Sequence, residues 1–131
     1  MRLTTRALLL LPLVAVLLGL LPAAAQASPT RLSTIDQYRQ WIHEARLAYP
    51  YPQSEERMYR VMMCESGGNR MAVGGRGRWH GLFQYVPSTW RGGWNPYRDA
   101  SIYDAKAQIF ATAAAWKRGM QSAWSCYYQT R

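Results

Sequence analysis

A lone carboxylate stands in the sequence CESGG, residues 64–68, between a cysteine and a pair of turn-forming glycines. Met58, Val61, Met62 and Glu65 recur at helical spacing, which predicts that Glu65 lies on an apolar stripe in the last helical turn. Burial on that stripe and the negative end of the helix both disfavour a charged carboxylate. We therefore expect the pKa of Glu65 to be raised enough for proton donation near neutral pH. The alternative is a solvated acid at a frayed helix end.

An isolated acid in a small, aromatic-rich domain suggests cleavage of a glycosidic bond. That chemistry needs an acid to protonate the leaving oxygen and a second group to stabilise an oxocarbenium-like centre. The remaining acids in helical first turns are explained by capping, while Asp99 and Asp104 could approach a cleft or cap a helix. A mechanism with one protein carboxylate therefore fits better. The other candidates for a second carboxylate are Asp36, Glu44, Glu55 and Glu56.

Four short motifs occur in order, namely CESGGN at 64–69, GLFQ at 81–84, PSTW at 87–90 and AWSC at 123–126. Over about residues 58–127 the chain resembles the soluble lytic transglycosylases, in particular the resuscitation-promoting-factor type. The resemblance implies a mostly α fold of the α+β lysozyme-like class. A Gly-rich loop or short hairpin would follow the catalytic helix.

The resemblance also implies roles for single residues. Glu65 matches the one catalytic acid, which would protonate the oxygen between N-acetylmuramic acid and N-acetylglucosamine. It would then act as base toward the muramoyl 6-hydroxyl, giving a 1,6-anhydro product. Ser66, Gln84 and Thr89 match substrate-binding positions of the family motifs.

Two departures from the family pattern leave the reaction outcome open. Phe83 stands where the family usually has Met, and AAAW at 113–116 replaces a segment that carries a tyrosine near the acid. Tyr85 or Tyr103 could supply that tyrosine, and Tyr85 is included among the expected substrate-binding residues. An ordinary muramidase hydrolase therefore remains an alternative to a transglycosylase.

The tryptophans divide by local context. Trp79 and Trp94 lie in Gly-rich stretches and are expected to stack on sugar rings in the cleft. Trp116 lies on the inward stripe of a helix and is expected to belong to the core. Trp90 fits either environment.

Capping residues predict the helices that position these groups. Ser33 with Asp36 begins a helix over about 33–48, which Pro50 and Pro52 end, and Ser54 caps the helix that carries Glu65. Asp99 or Ser101 is expected to cap the longest helix, whose inward stripe would begin at Ile102 and which Gly119 would end. Residues 67–80 are expected to form a loop or short hairpin, and Pro87 to begin a short helix.

Residues 1–27 have the pattern of a secretory signal. A basic start precedes an apolar run over 7–21 and the small-x-small sequence AQA at 25–27. The predicted organisation is a signal peptide over 1–27, an N-terminal helix and linker over 28–52, and a lysozyme-like domain over 53–131. The protein is thus expected to be secreted, extracellular or associated with a bacterial cell wall.

The chain contains two cysteines, Cys64 and Cys126. In an exported chain a pair of cysteines most simply forms a disulfide. Two free thiols, or a metal site completed by His43 and His80, are the alternatives, but no metal-ligand spacing is present. No metal and no cofactor is predicted.

The formal net charge of +9 favours an anionic partner, although it could also serve solubility alone. Nucleic acid, acidic lipid and an anionic bacterial cell wall all qualify on charge, and export argues against nucleic acid. The resemblance implies that the partner is the glycan strands of peptidoglycan. We expect a monomer without stable membrane insertion after signal cleavage. The rivals to an enzyme are a wall-binding or signalling module without catalysis and a cationic membrane-active protein.

Overall fold

The computed structural model describes residues 32–131, so the expected signal peptide over 1–27 lies outside the described residues. The prediction of a mostly helical domain is confirmed. Within 32–131, no helix combines the length and the apolar character needed to cross a bilayer. In chain order the elements are α1 (Thr34–Ala48), α2 (Glu55–Ser66), β1 (Val73–Gly74), β2 (Trp79–His80), α3 (Pro87–Trp90), α4 (Ala105–Lys117), a 3-10 turn (Gln121–Ala123) and α5 (Ser125–Gln129).

Helix α1 begins as its sequence predicts, because Ser33 Oγ accepts a hydrogen bond from the Asp36 N–H. Its buried face carries Tyr38, Ile42 and Ala45, which belong to the same hydrophobic core as the later helices. The helix packs on α4 and α2. The boundary expected between residues 52 and 53 therefore does not separate two cores, and α1 is an integral layer of the domain.

Helix α2 carries the candidate acid. Ser54 accepts a hydrogen bond from the Arg57 N–H, and Met58, Val61 and Met62 are buried. Gly67 ends the helix in the left-handed conformation, with φ of 63°, which glycine adopts without steric cost. Glu65 thus lies in the last turn, as the sequence predicts.

Helix α4 runs through the centre of the domain and is buried on nearly all sides, including the predicted core residue Trp116. Its cap is Asp104, whose side chain accepts from the Ala107 N–H, so the expectation of Asp99 or Ser101 was wrong. Ser101 instead accepts from the Tyr103 N–H in the preceding turn. That turn keeps Ile102 outside the helix.

The Gly-rich segment forms the short hairpin that the sequence allows. Strands β1 and β2 are antiparallel, with Val73 opposite His80 and Gly74 opposite Trp79. A further bridge joins His80 to Tyr85, which folds the segment after the hairpin back against β2.

The C-terminal segment is fixed to α2. The predicted disulfide between Cys64 and Cys126 is present, with a Cα–Cα distance of 5.9 Å. Arg57 on α2 stacks on the Tyr127 ring, 4.4 Å from its centroid, and donates to the Tyr127 carbonyl oxygen. Residues around Cys126 therefore lie beside the end of α2.

Candidate functional site

A cleft of about 400 Å³ opens beside the last turn of α2. Its walls come from the hairpin, from residues 84–94 on and around α3, and from the C-terminal segment. The residues that line it are Glu65, Trp79, Gln84, Tyr85, Val86, Thr89, Trp94, Met120, Ala123, Trp124 and Ser125.

Glu65 is half-buried at the edge of this cleft. Burial raises the pKa of Glu65 above the ordinary carboxyl value, because a charged carboxylate loses hydration there. A hydrogen bond from the Cys126 N–H to Glu65 Oε1, at 3.4 Å, acts in the opposite direction and lowers the pKa. The first effect is the larger one, so the protonated form of Glu65 is favoured relative to a solvated acid.

Glu65 is the only carboxylate among the described residues that line the cleft. The other acids have separate surroundings, in helix caps, surface ion pairs or a second pocket. Asp36 and Asp104 act at helix starts, and Asp99 lines the second pocket. Glu44, Glu55 and Glu56 pair with Lys106, Arg46 and Arg39 at the surface.

Aromatic side chains form much of the cleft wall. The Trp79 ring is 43% exposed, whereas Tyr85 and Trp124 are buried behind the surface. Trp94 stacks on Tyr85, with ring centroids 6.1 Å apart, and its Nε1–H donates to the Thr89 carbonyl oxygen at 3.0 Å. The cleft therefore presents fixed flat apolar faces beside one acid.

Gln84 lines the cleft in a strained backbone conformation, with φ of 52°. Its side-chain amide donates to the carbonyl oxygens of Gly81, at 2.9 Å, and Ala72, at 3.3 Å. Left-handed non-glycine residues cost about 1–3 kcal/mol and are concentrated at functional sites. The side chain ties the hairpin to the segment that follows it.

Gln108 on α4 holds the same segment from the core side. Its Oε1 accepts from the Phe83 N–H at 2.8 Å, and its Nε2 donates to the carbonyl oxygens of His80, at 3.0 Å, and Ile102. The side chain is completely buried. Because Phe83 directly precedes Gln84 and Tyr85, this buried amide positions two cleft residues.

Most of the residues expected to bind substrate meet in this cleft, namely Trp79, Gln84, Tyr85, Thr89 and Trp94.

Ser66 lies outside the cleft. Its hydroxyl donates to the Met62 carbonyl oxygen and accepts from the Gly68 N–H, both at 3.2 Å, so it serves the helix end.

Neither candidate for the missing tyrosine offers a free hydroxyl beside Glu65. The Tyr85 hydroxyl bonds to Thr112 Oγ1 in the core at 2.9 Å, and burial raises the pKa of Tyr85. Tyr103 lines the second pocket instead. Trp90, which the sequence left undecided, is a core residue.

The C-terminal wall of the cleft was missed from the sequence. Met120, Ala123, Trp124 and Ser125 all line it, together with Val86. The predicted disulfide could have indicated this wall, because residues next to Cys126 must lie near residues next to Cys64.

Within residues 32–131, no three His, Cys, Asp or Glu side chains gather in a way that could hold a metal ion. Comparison of the chain with models of protein families, with curated proteins and with solved structures gave no match. The geometry of the cleft is therefore the basis for assigning a function.

Proposed function

We propose that this protein is a secreted enzyme that cleaves the glycan strands of peptidoglycan, with Glu65 as its single catalytic acid and base. The observation that carries the proposal is the half-buried carboxyl group, alone among acids in an aromatic cleft, with its pKa raised by burial. The ordered motifs around Glu65, Gln84 and Thr89 support the choice of substrate.

The reaction begins with proton transfer from Glu65 to the glycosidic oxygen, as the bond from that oxygen to C1 of N-acetylmuramic acid breaks. The carbonyl oxygen of the sugar's own N-acetyl group bonds to C1. A cleft with one carboxylate suits this route, since glycosidases with two protein carboxylates use the second as nucleophile or base.

The second step restores the acid. The Glu65 carboxylate takes the proton of the muramoyl 6-hydroxyl, whose oxygen bonds to C1 as the N-acetyl oxygen leaves. The product is a 1,6-anhydro end, and Glu65 is protonated again. If water replaces the 6-hydroxyl, the same steps give a reducing end, which is the hydrolase outcome.

The cleft walls suit a glycan. Flat aromatic faces bind the apolar faces of sugar rings, and Trp79 on the hairpin and Trp94 after α3 provide such faces. The basic chain suits an anionic wall, and the disulfide is compatible with an extracellular location.

The test is digestion of purified peptidoglycan by the native protein and by Glu65→Gln, with mass spectrometry of the released fragments. General acid catalysis is worth about 10²–10⁴-fold, so Glu65→Gln should reduce fragment release by at least that range. Glu56→Gln, an exposed position on the same helix, is the matched control and should retain activity.

The fragment ends, the binding behaviour and vesicle leakage distinguish the alternative functions. Anhydro ends support a transglycosylase, and reducing ends a muramidase. Binding to the wall without fragment release would replace the enzyme with a binding or signalling module. Vesicle leakage that survives Glu65→Gln would favour a membrane-active protein instead.

A further inference from the structure

A second pocket, also of about 400 Å³, lies on the other side of a wall of the cleft. Its lining is more strongly charged than that of the cleft. It includes His80, Trp90, Arg91, Arg98, Asp99 and Tyr103, and none of these lines the cleft.

Strand β2 and helix α3 form the partition between the two spaces. Successive side chains of a strand point to opposite faces, so Trp79 faces the cleft and His80 faces the second pocket. On α3 Thr89 lines the cleft, whereas Pro87 and Trp90 line the second pocket. The two spaces therefore share β2 and α3 as a boundary, in which the Tyr85 and Trp90 rings pack together with centroids 5.2 Å apart.

In the second pocket, the charged residues Arg91, Arg98 and Asp99 are exposed. Across residues 32–131, the ion pairs involve neither Arg91, Arg98 nor Asp99. The pocket thus offers two guanidinium groups and one carboxylate on apolar walls. Guanidinium groups bind carboxylates through paired hydrogen bonds, and a carboxylate accepts from an ammonium group.

Internal bonds fix the pocket floor. His80 Nδ1 and the Tyr103 hydroxyl are 2.7 Å apart in a hydrogen bond, and their rings meet edge to face. Trp90 Nε1–H donates to the Ala100 carbonyl oxygen at 2.9 Å. A ligand would therefore meet a preformed aromatic surface, while the exposed side chains of Arg91, Arg98 and Asp99 become ordered on binding.

We propose that this second pocket binds the peptide branch of a peptidoglycan strand whose glycan lies in the cleft. Arg91 and Arg98 take its carboxylates, and Asp99 takes an amino group. The proposal rests on the proposed function for its choice of ligand. A branch that carries free carboxylates and an amine matches two cations and one anion better than a polyphosphate would, since Asp99 would repel the latter.

The experiment compares two forms of one substrate, glycan strands with peptides and the same strands stripped of peptides by an amidase. The test variant is Arg91→Gln with Arg98→Gln. Its matched control is Lys117→Gln with Arg118→Gln, which removes the same charge from an exposed helix end that lines neither space.

For the test variant, kcat/KM on peptide-bearing strands should fall by at least about tenfold more than on stripped strands. That is the loss of one charge-assisted hydrogen bond expressed as a rate ratio. The control should lower both values equally or leave both unchanged. An equal loss on the two substrates in the test variant, or an identical selective loss in the control, would overturn the proposal.

A binding measurement separates this proposal from the proposed function. The synthetic peptide L-Ala-D-Glu-diaminopimelate is titrated into the full chain by NMR, with shifts expected at Trp90 and Tyr103. The Arg91→Gln, Arg98→Gln variant should weaken binding by at least about tenfold. If the protein cleaves neither substrate but binds the peptide here, only the enzymatic proposal fails. No shift in these residues, or displacement of the peptide by millimolar inorganic phosphate, would reject the peptide site.

Discussion

The Cys126 N–H donates to Glu65 Oε1 at 3.4 Å, and the Cys126 side chain is bonded to Cys64, the residue just before the acid. The carboxyl group and the C-terminal cleft wall are therefore joined both covalently and by a hydrogen bond. Trp124 strengthens the arrangement, because its Nε1–H donates to the Phe83 carbonyl oxygen at 2.9 Å. The disulfide and these two hydrogen bonds all link the C-terminal wall to the rest of the cleft.

Replacing both cysteines, Cys64→Ser with Cys126→Ser, should lower the free energy of unfolding by about 2–5 kcal/mol. Peptidoglycan cleavage should fall further than the folded fraction does, because the wall that carries Trp124 loses its covalent attachment. Urea unfolding measures the loss of stability, and initial rates on purified peptidoglycan measure the loss of activity. Activity that simply follows the folded fraction would show that the crosslink stabilises the domain without positioning the acid.

Glu65→Gln should make the folded protein more stable at neutral pH. The pKa of Glu65 is raised on folding, so the folded state binds the proton more tightly than the unfolded state does. The contribution of Glu65 to native stability is therefore fully present below the ordinary carboxyl pKa and is lost as pH rises through the folded pKa. The Glu65→Gln variant has no such loss. Its Tm should therefore exceed that of the native protein at about pH 7, and the difference should disappear by about pH 3.

Glu56→Gln provides a control of opposite sign. A hydrogen bond from Arg39 lowers the pKa of Glu56, so its stabilisation is present above the ordinary carboxyl pKa and is lost as pH falls. This variant should be no more stable than the native protein at neutral pH. Matching pH profiles for Glu65→Gln and Glu56→Gln would contradict the assigned burial of Glu65.

Gly81→Ala should destabilise the protein more than Gly119→Ala. Both glycines have φ near 80°, so each substitution carries a backbone cost of about 1–3 kcal/mol. A Cβ at Gly81 would also lie 2.8 Å from the Ile102 carbonyl oxygen and against Gln108, whereas Gly119 has open space. Chemical denaturation of both variants gives the difference in unfolding free energy that is due to the steric clash at Gly81. Equal losses of stability would mean that the surroundings of Gly81 relax to accommodate the added Cβ.

Trp79→Ala and Trp94→Ala should separate substrate binding from stability. Trp79 is 43% exposed, so its loss should raise KM for glycan with little change in Tm. Trp94 stacks on Tyr85 and bonds to Thr89, so its loss should lower Tm as well. Unchanged KM in Trp79→Ala would remove this ring from the glycan path.

Ile42→Ala should cost about 2–5 kcal/mol of unfolding free energy, because Ile42 is buried in the core shared with α4. Leu47→Ala on the same helix is the matched control, since Leu47 is 70% exposed and should have an effect within about 0.5 kcal/mol. Similar small losses in both would mean that α1 is a peripheral addition.

Helix ends could be predicted from the sequence where one residue caps the backbone next to it. The starts of α1 and α2 follow from Ser33 and Ser54, and the end of α2 follows from Gly67, because these residues act on backbone groups within one turn. The start of α4 was wrong because Asp99, Ser101 and Asp104 can all cap a helix.

The other features of the fold and the site depend on contacts between segments that are distant in the sequence. The position of α1 in the core depends on its packing against α4, which no capping residue reports. In the sequence Gln108 resembles any other polar helical residue. Only the fold shows that its side-chain amide bonds to the backbone of His80 and Phe83. The pairing of Cys64 with Cys126 was predictable, yet its consequence for Trp124 and Ser125 required the fold.

The cleft joins residues that are far apart in order of synthesis. Glu65 leaves the ribosome well before Met120 and Trp124, which form the opposite wall. No nascent chain that stops short of residue 126 can contain both the acid and its enclosed environment. Assembly of the site therefore waits until residue 126 has been synthesised, and its covalent link forms only when the thiols of Cys64 and Cys126 are oxidised.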